Sequence, residues 1–425
     1  MLLTFLLMSA AQVEAPVETP AAPTPAAQPQ QGSALSDLSP EERQEIADDS
    51  ARDLRESRFY NRPGATRADY DADWQECRMI ARGSRGMGGQ VVTVPYNPGI
   101  ISPAAASGAG LIGAMIGNAI VEGQLRRSNR RTCLLVKGWA LAEVEDAAAR
   151  ARIAAMSDAE REAHFNRLVG AETLPEGLTV LRWENPIAAP KLAASIGPRD
   201  AAKDKSAQRK PVKPVEIASG QGGVILGFRR PDAESQGKSA SLLISRYDPE
   251  AANIVFPAKR DKADTTTYSL LIKSRDKALE VEHVLHALTP GTYVISGATP
   301  GIQGTVNVNF CLSSAMFTVE PGKITYIGDF LPYPFAPTAA GGRAISMAWQ
   351  DHLADAEAAA PALQSSAPLP VQPASFTNGV SWGCAATVMT AYAVPGAPTL
   401  EGPRRAGPPL ATPAQPTTVI AIPTT

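Results

Sequence analysis

Four cysteines, two in each half of a 425-residue chain, constrain this sequence more than any other feature. Cys77 and Cys133 lie in the first half, Cys311 and Cys384 in the second. No C-x-x-C spacing suggests zinc or a dithiol redox motif, so the compartment decides how the thiols are read. The opening residues bear on that. Met1 to Ala11 form an uncharged apolar run followed by small residues, the h-region and A-x-A-like exit of a secretory signal cleaved near Ala11 or Ala15. No Lys or Arg precedes the run, and no Cys stands at its exit to carry a lipid anchor. The run is too short to span a bilayer. Residues 1–15 are therefore expected to export the chain to a periplasmic or outer-envelope location, where disulfides are the default. Four cysteines allow three connectivities, and pairing within halves, Cys77 with Cys133 and Cys311 with Cys384, is the simplest.

Proline and glycine divide the remainder. The 37 prolines and 34 glycines are unevenly spread: Pro16 to Gly32 is rich in Pro, Ala and Gln, about Pro190 to Gly222 in Pro and Lys, and Pro395 to Thr425 in Pro, Thr and Ala. These stretches hold too little apolar side chain to offset backbone ordering at roughly 1–2 kcal/mol per residue. Residues 16–34 and 395–425 are accordingly predicted to be disordered and 187–221 to be a linker. A net charge of −2 supplies no global field for nucleic acid, and none is expected as a partner. The linker is locally basic at Lys203, Lys205, Arg209, Lys210 and Lys213. It reads as a solvated spacer, with contact to anionic lipid or cell-wall polymer as the rival reading.

Between these stretches the apolar period changes from helical to strand-like. Residues 35–69 are predicted to be a helical arm: Ser39-Pro40-Glu41-Glu42 supplies an N-cap, a proline at the first helical position and acids at the positive helix end. Trp74, Cys77 and Ile80 then fall at i, i+3 and i+6 in a short helical pattern from Tyr70 to Ala81. From Gly86 to Val121 no side chain is charged, and Ala105, Ala109, Gly113 and Gly117 repeat small residues at a spacing of four. Such a strip lets another backbone approach closely. Because each helical glycine costs about 1 kcal/mol relative to alanine, the spacing makes sense where close packing offsets the loss. A Gly/Ala-rich loop is the competing reading. After Arg126-Arg127 and Arg130-Arg131 comes Cys133, followed by Gly138-Trp139. A Cys in a Tyr/Trp-flanked helix, a zipper and this last element together resemble the glycine-zipper surface-antigen proteins of bacterial envelopes. In that family the last element reads Cys-Met-x3-Gly-Tyr; here Leu134 replaces the Met and Trp139 the Tyr. The resemblance implies an envelope location. Ser157-Asp158-Ala159-Glu160 is a capping box opening a helix to about Val169, and Leu178 to Trp183 reads as extended. Residues 70–186 are thus expected to be a glycine-zipper helical unit with a following helix.

Residues 222–394 read as an antiparallel β-sandwich. Short β-type runs at Val224–Phe228, Ser241–Ser245, Tyr268–Ile272, Gly291–Ile295, Val306–Cys311, Met316–Val319 and Lys323–Gly328 are separated by turn signals such as Pro290-Gly291 and Pro321-Gly322. A helical insertion is predicted over 344–359, and Gly379 to Ala393 supplies the last strands. The turns Leu288-Thr289-Pro290-Gly291-Thr292-Tyr293 and Glu320-Pro321-Gly322-Lys323-Ile324-Thr325-Tyr326 are similar to those of transthyretin-like and lipoprotein β-sandwich modules, which implies an adhesive or carbohydrate-facing role.

Chemistry is sparse. No nucleophile elbow, H-E-x-x-H, Walker loop or βαβ dinucleotide fingerprint occurs; Gly108 to Gly113 fits G-x-G-x-x-G by letter, inside the small-residue repeat. His283 and His286 are the best metal candidates, but on a strand positions three apart face opposite sides. Cys311 or Cys384 as a nucleophile would need an activating His and a free thiol. The acids Asp232, Glu234, Asp248, Glu250, Asp261, Asp264 and Asp329 fall mainly in loop-like stretches and show no pairing, and Tyr333 and Phe335 sit in a Pro-rich turn. No catalytic residue, cofactor or metal is expected. Pro98 to Val121 is long enough to span a core of about 30 Å, but a disulfide holds two Cα atoms within about 4.4–6.8 Å. A Cys77–Cys133 bond and a single span exclude each other, since Arg78-Arg82-Arg85 and the arginines from Arg126 to Arg131 must both stay wet. The resulting expectation is a non-enzymatic envelope protein of multi-part α + β fold. Its zipper would meet a membrane surface, an envelope partner or a second copy. A sandwich that binds glycan or peptide, and a cell-wall hydrolase, are the rivals.

Overall fold

The computed structural model describes residues 40, 44, 48, 57–84, 116–185, 187, 197–200, 212–257, 263–299, 308–337, 343–365 and 367–400. Ala105, Ala109 and Gly113 lie outside them, as do residues 1–39 and 401–425; of Gly117 only its place in a helix is described. The chain is mixed α + β. Met1–Arg52 separates as one unit, in which Pro40, Gln44 and Asp48 are helical and exposed; Asp53–Thr425 is the other.

Its helices are α1 (Arg67–Ala81), α2 (Ile116–Val136), α3 (Ala147–Ala155), α4 (Asp158–Leu168) and α5 (Leu353–Leu363). The expected helical arm over 35–69 ends early, because Arg58–Asn61 is a strand, β1, with Phe59 and Tyr60 buried. It pairs with β2 (Ala140–Val144), which pairs with β3 (Leu178–Leu181), in an antiparallel three-stranded sheet. Thr66 caps α1 in a reciprocal box with Asp69, and Ser157 does the same for α4 with Glu160. On α1 the buried face carries Tyr70, Trp74, Cys77 and Ile80. The contacts Asp73–Lys137, Cys77–Cys133 and Ser84–Asn129 show α2 running antiparallel to α1. Among the described residues no helix is long and apolar enough to cross a membrane.

The other strands are β4 (Gly222–Arg229), β5 (Ser241–Asp248), β6 (Asn253–Ile254), β7 (Ser269–Lys273), β8 (Val281–Leu288), β9 (Gly291–Thr299), β10 (Val308–Val319), β11 (Ile324–Pro337), β12 (Arg343–Gln350), β13 (Val371–Pro373), β14 (Thr377–Val380) and β15 (Val388–Tyr392). One sheet runs β14-β10-β9-β5-β6, with β15 beside β10 and β7 beside β5; another runs β12-β11-β4-β8, with β13 beside β11. The expected purely antiparallel pairing fails at three places, where β11 is parallel to β4 and β13, and β10 is parallel to β15. Residues 344–359 are likewise not one helix. Arg343–Gln350 forms β12 against β11, and the helix begins only at Leu353. Trp349 supplies the reason: its ring nitrogen donates to the Ile327 carbonyl at 2.9 Å and its backbone N–H to the Ile187 carbonyl, tying the segment to the sheet.

Two expected boundaries also dissolve. The 187–221 linker is packed at both ends: Ile187 is buried, Arg199 donates to the Arg230 and Ala278 carbonyls, and Val215 exchanges backbone bonds with Leu363 and Ser365. Apolar Val215 and Ile217 rest against the cluster of Ile225, Leu285, Ile324 and Tyr326. In the expected tail, Leu400 donates to the Asn378 carbonyl and Asn378 to the Pro398 carbonyl.

The helical and β-rich halves, expected to be separate domains at 70–186 and 222–394, meet directly. Ala386 donates its N–H to the Gly83 carbonyl at 3.2 Å. A Cβ at Gly83 would overlap the Cys384 carbonyl oxygen, so only glycine permits the approach. Beside it the buried Asn129 amide donates to Ser84 Oγ (2.9 Å) and the Thr387 carbonyl (3.2 Å), while its oxygen accepts the Met389 N–H (3.0 Å). The second disulfide, Cys311–Cys384, fixes the same loop to β10. Asn129→Ala would orphan buried groups on both halves. We expect a loss of about 2–3 kcal/mol, read as a lowered urea midpoint with unchanged slope.

Candidate functional site

One polar cluster of the β-rich half lies on the face of the β11-β4-β8 layer that α5 covers. Asp329 stands at the centre, fully buried. In a regular strand Tyr326 and Asp329, three apart, would face opposite sides. A bulge between them, with Gly328 at φ +106°, adds one residue and returns Asp329 to the face of Tyr326. A Cβ at Gly328 would also overlap the Trp349 ring nitrogen. Across the sheet Asp329 pairs with Gly227, and Gly227 with His283. Glycine is required in this row because a Cβ at 227 would overlap Asp329 Oδ1. The gap leaves His283 Nε2 3.9 Å from Asp329 Oδ1.

Arg229 Nε donates to Asp329 Oδ2 at 2.7 Å, and its Nη2 reaches Asp355 on the first turn of α5. Tyr326 donates its hydroxyl to Asp329 Oδ1 at 2.9 Å and accepts the His352 N–H, at the cap of α5, at 2.9 Å. Burial, then the Asp329 charge, pushes the Tyr326 hydroxyl far above its ordinary range. The hydrogen bond from Arg229 holds the Asp355 carboxyl below its usual value. Burial also lowers His283 and His286 from the ordinary histidine value. Every oxygen of Asp329 is committed to a donor, so the cluster can pin α5 and store a proton-sensitive imidazole beside a carboxylate. Among the described residues no three His, Cys, Asp or Glu side chains converge as a metal would need. Close by, a shallow recess lies between the β8 edge and Val212–Val215. Its carboxylate, Glu282, accepts the Arg275 and Asp276 N–H groups and sits 3.8 Å from buried Arg230.

The helical half has its own polar cluster. Asp73 Oδ2 accepts from Arg62 and Trp139 Nε1, both at 2.9 Å, and Lys137 lies 3.2 Å from Asp73 Oδ1 and 3.0 Å from Glu76 Oε2. Arg62 stacks over Trp139 at 4.3 Å, and Arg130 over Trp74 at 4.8 Å. These bonds surround the Cys77–Cys133 bridge, whose Cα atoms are 5.5 Å apart. The Cys311–Cys384 bridge spans 6.0 Å between Cα atoms, so neither cysteine offers a thiol nucleophile. Trp382 is buried with its ring edge-on to Tyr247.

Several sequence expectations need correction here. Asp329 is not in a loop and not unpaired. Tyr333 is not in an exposed turn: it is buried on β11 and donates to Asp232 Oδ2 at 2.7 Å, while Ser235 donates to Asp232 Oδ1. Pro332 and Pro334 suggested a turn, but long β11 accommodates them. The repeat Gly108 to Gly113 lies outside the described residues. What sequence reading missed is the row His283–Gly227–Asp329, visible only once strand pairing and the bulge are known. Comparison with protein-family models, curated proteins and solved structures finds no match. Removal of the buried acid by Asp329→Ala is expected to cost about 3–5 kcal/mol. Asp355→Ala, at the largely exposed partner, should cost about 0–1 kcal/mol. Chemical denaturation of the two variants checks the contrast.

Proposed function

We propose that this chain is an exported, non-catalytic structural or interaction protein of the bacterial cell envelope. In this reading the stretch from Gly86 to Val121 is a glycine zipper that packs through Ala105, Ala109, Gly113 and Gly117. It meets a membrane surface, an envelope partner or a second copy. The two large sheets are the layers of a β-sandwich that presents its connecting loops, and Lys203 to Lys213 adds a basic contact for lipid or cell-wall polymer. One observation carries the proposal. The buried Cys77–Cys133 bond ties α1 to the antiparallel α2, so the chain leaving after Ser84, uncharged from Gly86, returns to the same body at Ile116. Such an arrangement suits a segment that projects as a hairpin, and two buried disulfides suit an oxidising compartment. The polar clusters support a non-catalytic role, since Asp329 and Asp73 spend their oxygens on internal donors.

The test is fractionation of cells carrying the full chain, joined to mass mapping of non-reduced peptides. The expected outcome is recovery with the envelope fraction and linkage of both cysteine pairs. Recovery in the cytosol with four reduced thiols would sink the proposal. Within it, Gly113→Leu with Gly117→Leu should release the chain from the membrane fraction while leaving both disulfides formed, because bulky side chains block the close backbone approach.

A further inference from the structure

α5 meets its sheet through two alanines at its centre and a half-buried leucine at each end. Its two fully buried residues, Ala356 and Ala360, offer one methyl each to Ile225, Leu285, Ile324 and Tyr326, the partly buried Leu353 and Leu363 pack beside them, and Pro361 interrupts its last turn. The remaining hold is polar: Asp355 to Arg229, and the His352 N–H to Tyr326, with Arg229 and Tyr326 both anchored on Asp329. Against this anchor His283 presents a buried Nε2 that has no hydrogen-bond partner, 3.9 Å from Asp329 Oδ1, with only Gly227 between them.

We propose that this corner is an acid-released latch, in which protonation of His283 loosens α5 and uncovers the apolar strip beneath it. The proposal does not depend on where the protein acts. The groups around His283 set its response. Asp329 and Tyr326 face it from β11, and Arg229 from β4. His352 and Asp355 approach from α5 and its cap, and the adjoining recess brings Lys213, Arg275 and Glu282. Burial is the largest influence and disfavours the imidazolium; Arg229 and His352 add to this, while Asp329 and Asp355 oppose it. Once α5 lifts, water reaches the ring and its proton affinity returns toward the ordinary value of about 6.5. The open state then binds the proton more tightly than the closed one. Closure is therefore fully favoured above about pH 6.5 and weakens as pH falls toward the lower value of the closed site. A new imidazolium also competes with Tyr326 for Asp329 Oδ1, which strips the cap of α5 of its support.

Hydrogen exchange of the full chain at pH 7.5 and 5.5, corrected for the intrinsic pH dependence of exchange, tests this. Protection of 353–363 should fall about threefold to tenfold at the lower pH relative to β5, and an apolar dye should report the uncovered strip. His283→Gln should flatten the response, while His286→Gln, on the opposite face of β8, should retain it. Unchanged or increased protection of α5 in acid overturns the latch. So does a response that survives His283→Gln, or one that His286→Gln abolishes equally. Should His283→Gln not fold, the wild-type contrast between α5 and β5 decides alone.

Discussion

A backbone-to-backbone contact holds this molecule together. Where Gly83 meets Cys384 and Ala386 there is no room for a side chain, and the helical half, the β-rich half and a disulfide all meet at that point. Contacts of this kind stabilise only when every polar group inside them has a partner, since an orphaned buried donor costs about 1–3 kcal/mol. Asn129 meets that condition by spending both ends of its amide at the seam. Each disulfide lies on one side of the seam, Cys77–Cys133 behind the helices and Cys311–Cys384 behind the loop. Between them they limit how far either wall can move.

The β-rich half solves a different problem, how to keep a charge inside. Asp329 arrives on the covered face because a bulge at Gly328 changes the parity of β11, and it fits because Gly227 gives up its side chain. The charge is then answered from neighbouring β4 by Arg229 and from its own strand by Tyr326. A buried ion pair of this kind is weak evidence for stability, because desolvation offsets most of the attraction. Its clearer consequence is geometric: the acid fixes the register of β11 against β4 and gives α5 its docking point through Arg229.

What the sequence disclosed follows from how local each signal is. The helix at Trp74, Cys77 and Ile80, the capping box at Ser157, the strands at 222–229, 241–248 and 291–299, and the division of cysteines between halves were all legible, because their causes lie within a few residues. Residues 343–350 misled because Ala344, Met347 and Ala348 have helical composition, while Trp349 finds its partners on β11 and at Ile187. The ends of the Pro/Lys stretch misled for the same reason: Ile187, Val215 and Ile217 are too few to predict a core, yet each finds one already built. Asp329 was illegible in kind, since its face depends on a bulge and its neighbours come from residues 100 and 46 positions away, Arg229 and His283.

The two polar clusters differ in a way that bears on function. Around Asp73 and Glu76 the cations come from Arg62 and Lys137, with Trp139 adding its ring N–H, and both acids stand on α1 beside the Cys77 bridge. A covalent link already joins the elements that carry those charges, so loss of a proton-dependent contact there would move little. Around Asp329 no such link exists: α5 is joined to the sheet by hydrogen bonds, two alanine methyls and the partly buried Leu353 and Leu363 at its ends. The same chemistry is therefore rigid in one half and releasable in the other, and the difference lies in where the sulfur bridges were placed.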